Sequence, residues 1–402
     1  MKHLLKFLCM AFFIAMTSMA LFSCSDDDEM PQSYQMQINL SFPNDLSFED
    51  LTEVKVSLTN EKGQEQVIEL TQISSETSLL QGQYTLSLSG KVKDEQTAYV
   101  VGKAQLDLFA DGTVTIKVEK IYKSALIFKS IYTTGSGNGP GKCPAVDSYF
   151  EIVNNSDEMQ YLDQLILSAP MTGKTPTAWQ TNGYFDIYEC GQGVVIAFPG
   201  SGKDYPLAPG ESIVLANNAV DINSLKAESD PNTYVDLSKA DWEVYITPGK
   251  GEIDYPAPNV DIIFRNNEYQ TSFGLGYYGR CYLLARLPEG ITPSQYAADK
   301  SNYMNTPGTA GTMEFLMIKS KDVLDAVEIW DATETEHNST FLPKDDAKGV
   351  LASDTWQGKC IRRKVERIEN GRPYYQDTNN SSNDFLRNQP LTPGVTPTEV
   401  DQ

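Results

Sequence analysis

The stretch Tyr149–Asp163, YFEIVNNSDEMQYLD, decides the fold that we predict for this chain of 402 residues. Its first part combines aromatic and β-branched residues, which favour a strand. Asn154-Asn155-Ser156-Asp157 follows, a cluster of turn-forming residues. A second short apolar run, Tyr161-Leu162, comes next. The pattern predicts a β-hairpin in the core of a β-sandwich.

The segment before this stretch predicts a separate small β-sandwich over residues 34–121. Tyr34, Met36, Ile38 and Leu40 alternate with polar residues, the period of a half-buried strand. Similar runs recur at short spacing, and Asp111-Gly112 predicts a tight hairpin turn. About six such strands are typical of an immunoglobulin-like or transthyretin-like sandwich, and we expect this unit to act as a spacer.

The rest of the chain carries landmarks that resemble a lamin-tail-type domain. After the opening stretch come Leu207-Ala208-Pro209-Gly210 with an apolar strand behind it, the VLDAVEIW run at 323–330, and DTNNSSNDF at 377–385 before Pro393-Gly394. The resemblance implies one lamin-tail-like β-sandwich over residues 124–395, followed by a C-terminal tail at 396–402. Long insertions at 171–194 and 217–278 depart from the family pattern.

Two connections in this second unit predict short helices. One is Ala219–Ala227, and the other is Pro293–Met304, where Thr292 precedes a proline and fits an N-cap. The predicted fold class is therefore all-β: a small sandwich followed by a larger one with long loop insertions and few short helices.

The N-terminus predicts a lipoprotein signal peptide over residues 1–23. A short basic segment precedes an apolar run of signal-peptide length, which ends in Leu21-Phe22-Ser23-Cys24. A small residue directly before cysteine resembles a bacterial lipobox. That resemblance implies cleavage before Cys24 and attachment of lipid to its thiol. The expected localisation is the outer membrane, lipid-anchored and facing the cell surface.

Acidic residues dominate the charge of the chain. There are 54 acidic against 32 basic residues, a formal net charge of −22, which disfavours binding to nucleic acid because phosphates are repelled. The run Ser25–Glu29 begins an acidic tether at 24–33. It resembles the surface-export signal of Bacteroidetes lipoproteins. The whole arrangement resembles an uncharacterised family of such surface lipoproteins.

Motifs for catalysis or cofactors are weak. After signal removal the single histidine is His337, in a polar segment that favours a solvated surface residue.

The glycine-rich segment 135–142 lacks the ending of a phosphate-binding loop, and no cofactor is predicted. No calcium-loop motif is present, so no metal ligands are assigned, and calcium binding stays open. The remaining possibility for catalysis is an acid-pair hydrolase, which would use two of five carboxylates that are close in sequence: Asp236, Asp241, Glu243, Asp254 and Asp261.

Cysteine spacing leaves two interpretations open. Cys143, Cys190, Cys281 and Cys360 could form disulfides outside the cytoplasm, or they could be buried free thiols. No Cys-x-x-Cys pair is present, which argues against a zinc ribbon or a redox motif.

Aromatic residues in the insertions are the most useful functional signal. Trp179, Tyr184, Tyr277 and Tyr278 are the candidate ligand-binding residues, since exposed aromatic rings suit both protein and sugar contacts. We expect a non-enzymatic binding or assembly component whose partner is a surface protein, such as an outer-membrane receptor or transporter. A surface glycan-binding protein is the first alternative, and the acid-pair hydrolase is the second.

Overall fold

The computed structural model describes residues 32–44, 46–93, 98–137, 147–190, 193–246, 253–266, 270, 273–308, 314–334 and 337–401. In these ranges the regular secondary structure is mostly β-strand, which confirms the predicted all-β fold with few short helices. Within the same ranges, no helix has the length and apolar character needed to cross a membrane.

The first unit is a sandwich of two sheets. The sheet orders are β4-β1-β7 and β3-β2-β5-β6-β8. Alternating residues such as Ile38, Val56 and Leu88 are fully buried and form one core between the sheets. Its strands are β1 (Ser33–Ser41), β2 (Leu51–Asn60), β3 (Glu65–Glu69), β4 (Ser74–Leu80), β5 (Gly82–Val92), β6 (Ala98–Leu108), β7 (Gly112–Lys117) and β8 (Glu119–Tyr122).

The predicted hairpin at Asp111-Gly112 is wrong. Strand β7 does not pair with β6; it crosses to the other sheet and runs parallel to β1, with Ile38 opposite Val114. The Asp111 carboxylate accepts a hydrogen bond of 2.8 Å from the Gln35 N–H, which fixes this crossing. The turn residues were recognised correctly, but tertiary packing decided which strand comes next to which.

The second unit begins at β9 and contains the remaining strands and helices. Its strands are β9 (Leu126–Tyr132), β10 (Tyr149–Asn154), β11 (Gln160–Tyr161), β12 (Ile166–Ser168), β13 (Ile187–Cys190), β14 (Val194–Ala197), β15 (Pro206–Leu207), β16 (Ser212–Ala216), β17 (Trp242–Glu243), β18 (Asp261–Arg265), β19 (Arg280–Ala285), β20 (Tyr303–Asn305), β21 (Glu314–Lys319), β22 (Val323–Trp330), β23 (Val350–Leu351), β24 (Cys360–Arg363), β25 (Val365–Glu369), β26 (Arg372–Tyr375) and β27 (Phe385–Gln389). Its helices are α1 (Ala178–Thr181), α2 (Pro293–Ala298), α3 (Pro343–Asp346) and α4 (Ser381–Asp384).

Three sheets of the second unit lie in layers. The first has the order β17-β16-β10-β9-β24-β27, and the second has the order β18-β14-β12-β19-β22-β23. Residues such as Phe150 and Leu284 pack between them. The other face of the second sheet packs on a third sheet, β13-β21-β20, through residues such as Cys281 and Leu316. The middle sheet is covered on both faces, so its strands β12, β14 and β19 are almost continuously buried.

The opening stretch does not form the predicted hairpin. Every residue of β10 is buried, and this strand lies between β9 and β16. The second strand of the stretch, β11, pairs instead with β15, with Tyr161 opposite Pro206. A strand that has partners on both edges has no free edge left for the segment that follows its turn.

The helix predictions are correct at one place and wrong at the other. Thr292 caps α2: its hydroxyl accepts from the Gln295 N–H at 3.2 Å, while the Gln295 side chain accepts from the Thr292 N–H at 3.0 Å. The helix ends at Ala298, before the predicted end at Met304. The predicted helix at Ala219–Ala227 is only a short turn of 3-10 helix, Ile222–Ser224.

Polar contacts join the two units. The Lys348 ammonium donates to the Thr59 hydroxyl at 2.9 Å, and Lys123 forms an ion pair with Glu366 at 2.8 Å. The C-terminal tail is also attached to the second unit, because Asp401 accepts two hydrogen bonds of 2.8 Å from Arg362.

Candidate functional site

Three aromatic residues make up what we call the aromatic platform: Tyr277, its chain neighbour Tyr278, and Trp356, whose ring packs on that of Tyr277. The rings of Tyr277 and Trp356 are stacked, with centroids 4.7 Å apart and planes inclined by 27°. Tyr278 is 57% exposed, and its two partners are half-buried. The platform therefore combines a preformed stacked pair with a solvent-facing ring, which suits contact with a partner.

Two loops hold the platform in place. Tyr277 and Tyr278 lie between β18 and β19, and the Thr355 hydroxyl donates to the Tyr277 carbonyl at 3.2 Å. Gly279 is needed because a Cβ there would lie 2.6 Å from the Ile329 carbonyl oxygen. Trp356 adopts a φ of 64°, a costly conformation for a bulky side chain. Strain of this kind is concentrated at functional positions in proteins.

The other two candidate aromatics meet at a small cavity of about 20 Å³. Trp179 lies on helix α1, and Tyr184 follows the same helix. Trp179 is only 4% exposed and packs edge-on against Phe315, with ring centroids 5.5 Å apart, so its ring offers no open face for stacking. Tyr184 is 40% exposed at the rim. The four candidates thus form two pairs with different neighbours.

Glu189 on β13 is the unexpected member of this cavity. The strand pairing places it opposite Met317, on the face of the sheet where Trp179 and Phe315 pack. Glu189 is 5% exposed, and neither carboxyl oxygen accepts a hydrogen bond from the described residues. Burial raises its pKa to about 8, although the charge of Arg280 opposes the shift.

Trp179 contributes a second unpartnered group to the same cavity. Its indole Nε1–H is buried and donates to none of the described residues. Unsatisfied buried polar groups are uncommon in native proteins and cost stability. Both residues line the same small cavity, and each carries a buried group without a partner among the described residues.

A second buried acidic group has the opposite character, and we call it the Arg363 cluster: Arg363, Asp325, Asp377 and Asp384. The guanidinium donates two hydrogen bonds to Asp325, at 2.7 and 2.9 Å, and lies 3.2 Å from an oxygen of Asp377. Asp384 lies 3.5 Å away. The cluster joins β22, β24 and the segment before α4, so it holds the fold together.

Charge inside the Arg363 cluster is not balanced, since three carboxyls surround one guanidinium. Burial raises the pKa of Asp325 and of Asp384, and the positive charge of Arg363 only partly opposes this. The same three carboxyls raise the pKa of Arg363 against the effect of its burial. The cluster therefore favours retaining a proton in the folded state.

His337 is not the surface residue that the sequence predicted. Its side chain is 2% exposed and stacks on Trp330, with centroids 4.3 Å apart. Its Nε2 lies 3.1 Å from Glu328 and its Nδ1 lies 2.8 Å from Glu334. Burial alone lowers the pKa of His337, but the two carboxylates outweigh it and raise the pKa. The polar segment looked solvated because the sequence does not show that Glu328 is buried beside it.

Three of the five carboxylates considered for a hydrolase accept hydrogen bonds from backbone N–H groups. Asp241 accepts from the Val214 N–H at 2.8 Å, and Asp236 accepts from the Ser238 N–H at 2.9 Å. Glu243 is buried and accepts from the N–H groups of Ala219 and Tyr255, at 3.2 and 3.0 Å. Asp254 accepts from Asn259, and Asp261 is an exposed strand residue. Within the described ranges, no cluster of three or more acids, histidines or cysteines has the geometry of a metal site.

Three of the four cysteines can be placed. Cys190, Cys281 and Cys360 are buried free thiols in the structure, and burial raises the pKa of each. Cys143 lies outside the described residues. So do Cys24, the signal peptide at 1–23 and most of the acidic tether at 24–33.

Sequence reasoning found the aromatics of both places but missed Glu189, Trp356 and the Arg363 cluster. One available signal was Thr177-Ala178-Trp179-Gln180, which is a capping box: Gln180 N donates to Thr177 at 3.3 Å, and the Gln180 side chain accepts from Thr177 N at 2.9 Å. It would have placed Trp179 in the first turn of a helix. The burial of Glu189 had no local signal.

The chain is similar to proteins of one family, and the function of that family is unknown. Residues 208–392 match the model of a family described as a protein of unknown function, DUF4876. A solved DUF4876 family protein from Bacteroides thetaiotaomicron has 26% sequence identity and a TM-score of 0.57, over 91% of this chain and 99% of that chain. A DUF3823 family protein from Parabacteroides merdae has 12% identity and a TM-score of 0.17, over 35% and 67%. No curated protein matches. The chain is therefore similar to the uncharacterised DUF4876 family, in sequence over its second half and in structure over most of its length.

Proposed function

We propose that this protein is a non-enzymatic binding component of the cell surface, which contacts an outer-membrane receptor or transporter through the aromatic platform. The observation that carries the proposal is the stacked Tyr277–Trp356 pair, followed in the chain by the exposed Tyr278. Tyrosine and tryptophan dominate the energetic centres of protein interfaces. The strained backbone of Trp356 supports the same proposal, because the fold bears a cost to keep this ring in place.

The platform is preorganised, which favours a binding role. Backbone contacts hold both loops: the Trp356 N–H donates to the Thr134 carbonyl at 3.1 Å, and Gly279 lies against β22. Rings that are already fixed lose little conformational entropy when a partner arrives. A platform with this geometry therefore gives more affinity per unit area than mobile side chains would.

Membrane attachment through lipid on Cys24 is the second part of the proposal. The apolar run and the Leu21-Phe22-Ser23-Cys24 ending support it, and the acidic residues after Cys24 support display at the cell surface. Cys24→Ala is expected to leave the precursor uncleaved and to abolish labelling by a radioactive fatty acid. Unchanged processing and retained label would contradict the anchor.

The lamin-tail-like character of residues 124–395 also belongs to the proposal. The sequence landmarks coincide with structural ones, which supports it: the opening stretch contains the central strand β10, Pro209-Gly210 forms the turn before β16, and 323–330 is strand β22. Asp377 and Asp384 of the DTNNSSNDF landmark belong to the Arg363 cluster. The landmarks thus fall on the core of the second unit, where a family pattern is expected to lie.

Site-specific cross-linking tests the platform. A photoreactive phenylalanine analogue placed at Tyr278 in the lipidated protein is expected to form an adduct with one outer-membrane protein in intact cells. Phe109, in the first unit, is the matched control, because it is also 57% exposed. The proposal fails if both positions give the same adducts, or if Tyr278 gives none.

Glycan binding is the second candidate function, and one observation favours it. The cavity beside Tyr184 contains the unpartnered carboxyl of Glu189 and the unpartnered indole N–H of Trp179. Hydroxyl-rich ligands satisfy such groups. The hydrolase alternative has less support, because four of the five acids considered for it are engaged in loop hydrogen bonds.

A further inference from the structure

The cavity beside helix α1 is the feature that neither the fold nor the platform explains. Glu189 lies opposite Met317, which packs in an apolar cluster with Trp179 and Phe315, and the charge of Arg280 also acts on it. An acid in such a place costs stability unless it has hydrogen-bond partners. Other buried acids in this protein have them: Asp163, for example, accepts from the N–H groups of Gly202, Asp204 and Tyr205.

Two unpartnered groups on one cavity define the chemistry of the missing partner. The indole N–H of Trp179 requires an acceptor, while the carboxyl group of Glu189, which its raised pKa leaves largely protonated at neutral pH, requires a donor to its carbonyl oxygen. A hydroxyl group is both at once. An ammonium group or a metal cation could serve Glu189 but could accept nothing from Trp179. The pair therefore selects an alcohol over a cation.

The size of the cavity sets how much of a ligand enters. A volume of about 20 Å³ is enough for one hydroxyl-sized group, since a water molecule needs about 10–15 Å³ by the same measure. The body of the ligand must then lie outside, where Tyr184 is 40% exposed at the rim. A hydroxyl inside the cavity and an aromatic ring outside it match the hydroxyl rim and the apolar C–H face of a sugar ring.

We infer that this cavity is the anchoring subsite for a neutral saccharide. One sugar hydroxyl enters it, donates to Glu189 and accepts from Trp179, while the ring lies against Tyr184. The inference deepens the glycan-binding candidate, and it does not depend on a protein partner at the platform. It also assigns Trp179 a role as a buried hydrogen-bond donor in place of the exposed contact residue expected from the sequence.

The test follows the indole N–H signal of Trp179 in proton–nitrogen spectra of the lipid-free mature protein. The chain has four tryptophans, and the signal is assigned by its loss in Trp179→Phe. The probes are D-glucose, D-galactose, D-mannose, N-acetyl-D-glucosamine, maltose and cellobiose. At least one of them is expected to shift the signal saturably in the wild type.

Two variants distinguish the site from its surroundings. Glu189→Met is expected to weaken the binding at least about tenfold, while its melting temperature stays the same or rises because an unpartnered acid has been removed. Glu314→Gln is the matched control: it removes an exposed carboxylate from the neighbouring strand β21, and it is expected to leave the affinity unchanged.

Two results would overturn the inference. If no probe shifts the Trp179 signal, the cavity holds only a buried water. If Glu189→Met binds a probe as tightly as the wild type, the sugar lies elsewhere. Neither result touches the platform, because the cross-linking at Tyr278 is read out separately and with different residues.

Discussion

The Arg363 cluster and the Glu189 cavity place acidic residues in equally buried positions, yet their surroundings are opposite. Asp325 is 4% exposed and accepts two hydrogen bonds from Arg363 and one of 2.7 Å from the Phe128 N–H. Glu189 is 5% exposed and accepts none from the described residues. In both places, burial raises the pKa of the acid.

The comparison shows that a buried acid can serve two different purposes. In the Arg363 cluster the acids hold strands and a loop to one guanidinium, so removing a member should strongly destabilise the fold. At Glu189 none of the described residues would lose a hydrogen bond, so removing the acid should cost little stability. Burial alone therefore does not identify a functional acid; burial without a protein partner is the more informative observation.

The largest expected effect comes from Arg363→Met. The substitution leaves three buried carboxyls without their cation, and the expected loss in unfolding free energy is about 3–5 kcal/mol, measured by urea denaturation. Arg367→Met is the control, because Arg367 is paired with Glu369 but 41% exposed, and its expected loss is under about 1 kcal/mol. Equal losses of stability in the two variants would contradict a structural role for the Arg363 cluster.

Two substitutions in the Glu189 cavity should change the free energy of unfolding in opposite directions. Trp179→Ala should cost about 3–5 kcal/mol, since the ring is 4% exposed and packs on Phe315. Glu189→Met, in the same cavity, should gain about 1–3 kcal/mol. Thermal and urea unfolding of both variants would check this. A loss in Glu189→Met would show that the acid has a structural partner.

The pH dependence of Glu189→Gln sharpens the comparison further. The folded-state pKa of Glu189, about 8, lies above its ordinary value of 4.5, so wild-type stability should fall as pH rises through this window. The variant lacks this titration. As pH rises, the free energy of unfolding of the variant should therefore grow relative to that of the wild type, with a limiting slope of about 1.4 kcal/mol per pH unit. A difference that does not change with pH would contradict the raised pKa.

His337→Gln should show a smaller effect on stability, and this effect should also depend on pH. The pKa of His337 is raised, so its ion pairs with Glu328 and Glu334 stabilise the fold fully below the ordinary pKa of 6.5 and lose that effect as pH rises through the folded-state pKa. The expected loss in the variant is about 1–2 kcal/mol near pH 6 and less near pH 9. Denaturation at both pH values checks it, and equal losses would contradict a charged His337.

The smallest expected effect on stability comes from Tyr278→Ser on the platform. The ring is 57% exposed, so the change should stay within about 0.5 kcal/mol. A clearly larger loss in thermal unfolding would mean that Tyr278 packs in the fold, and the platform would then lose its most exposed member.

Local chemistry controls the features that could be predicted from the amino-acid sequence. Alternating apolar residues predicted the strands of the first unit, the turn formers predicted where chains reverse, and Thr292 with Pro293 predicted the start of α2. These follow from backbone preferences and from burial of one face, which neighbouring residues already encode. The all-β class followed from the same patterns.

Only the tertiary structure decided which strands are neighbours and which polar residues are buried together. β10 has partners on both edges, so the predicted hairpin could not form; His337 is buried because Glu328, nine positions away, lies beneath it. Arg363 meets Asp325 across 38 positions, and Trp179 meets Glu189 only because a helix covers β13. Long-range packing sets these contacts and the pKa values that depend on them, and no local pattern carries that information.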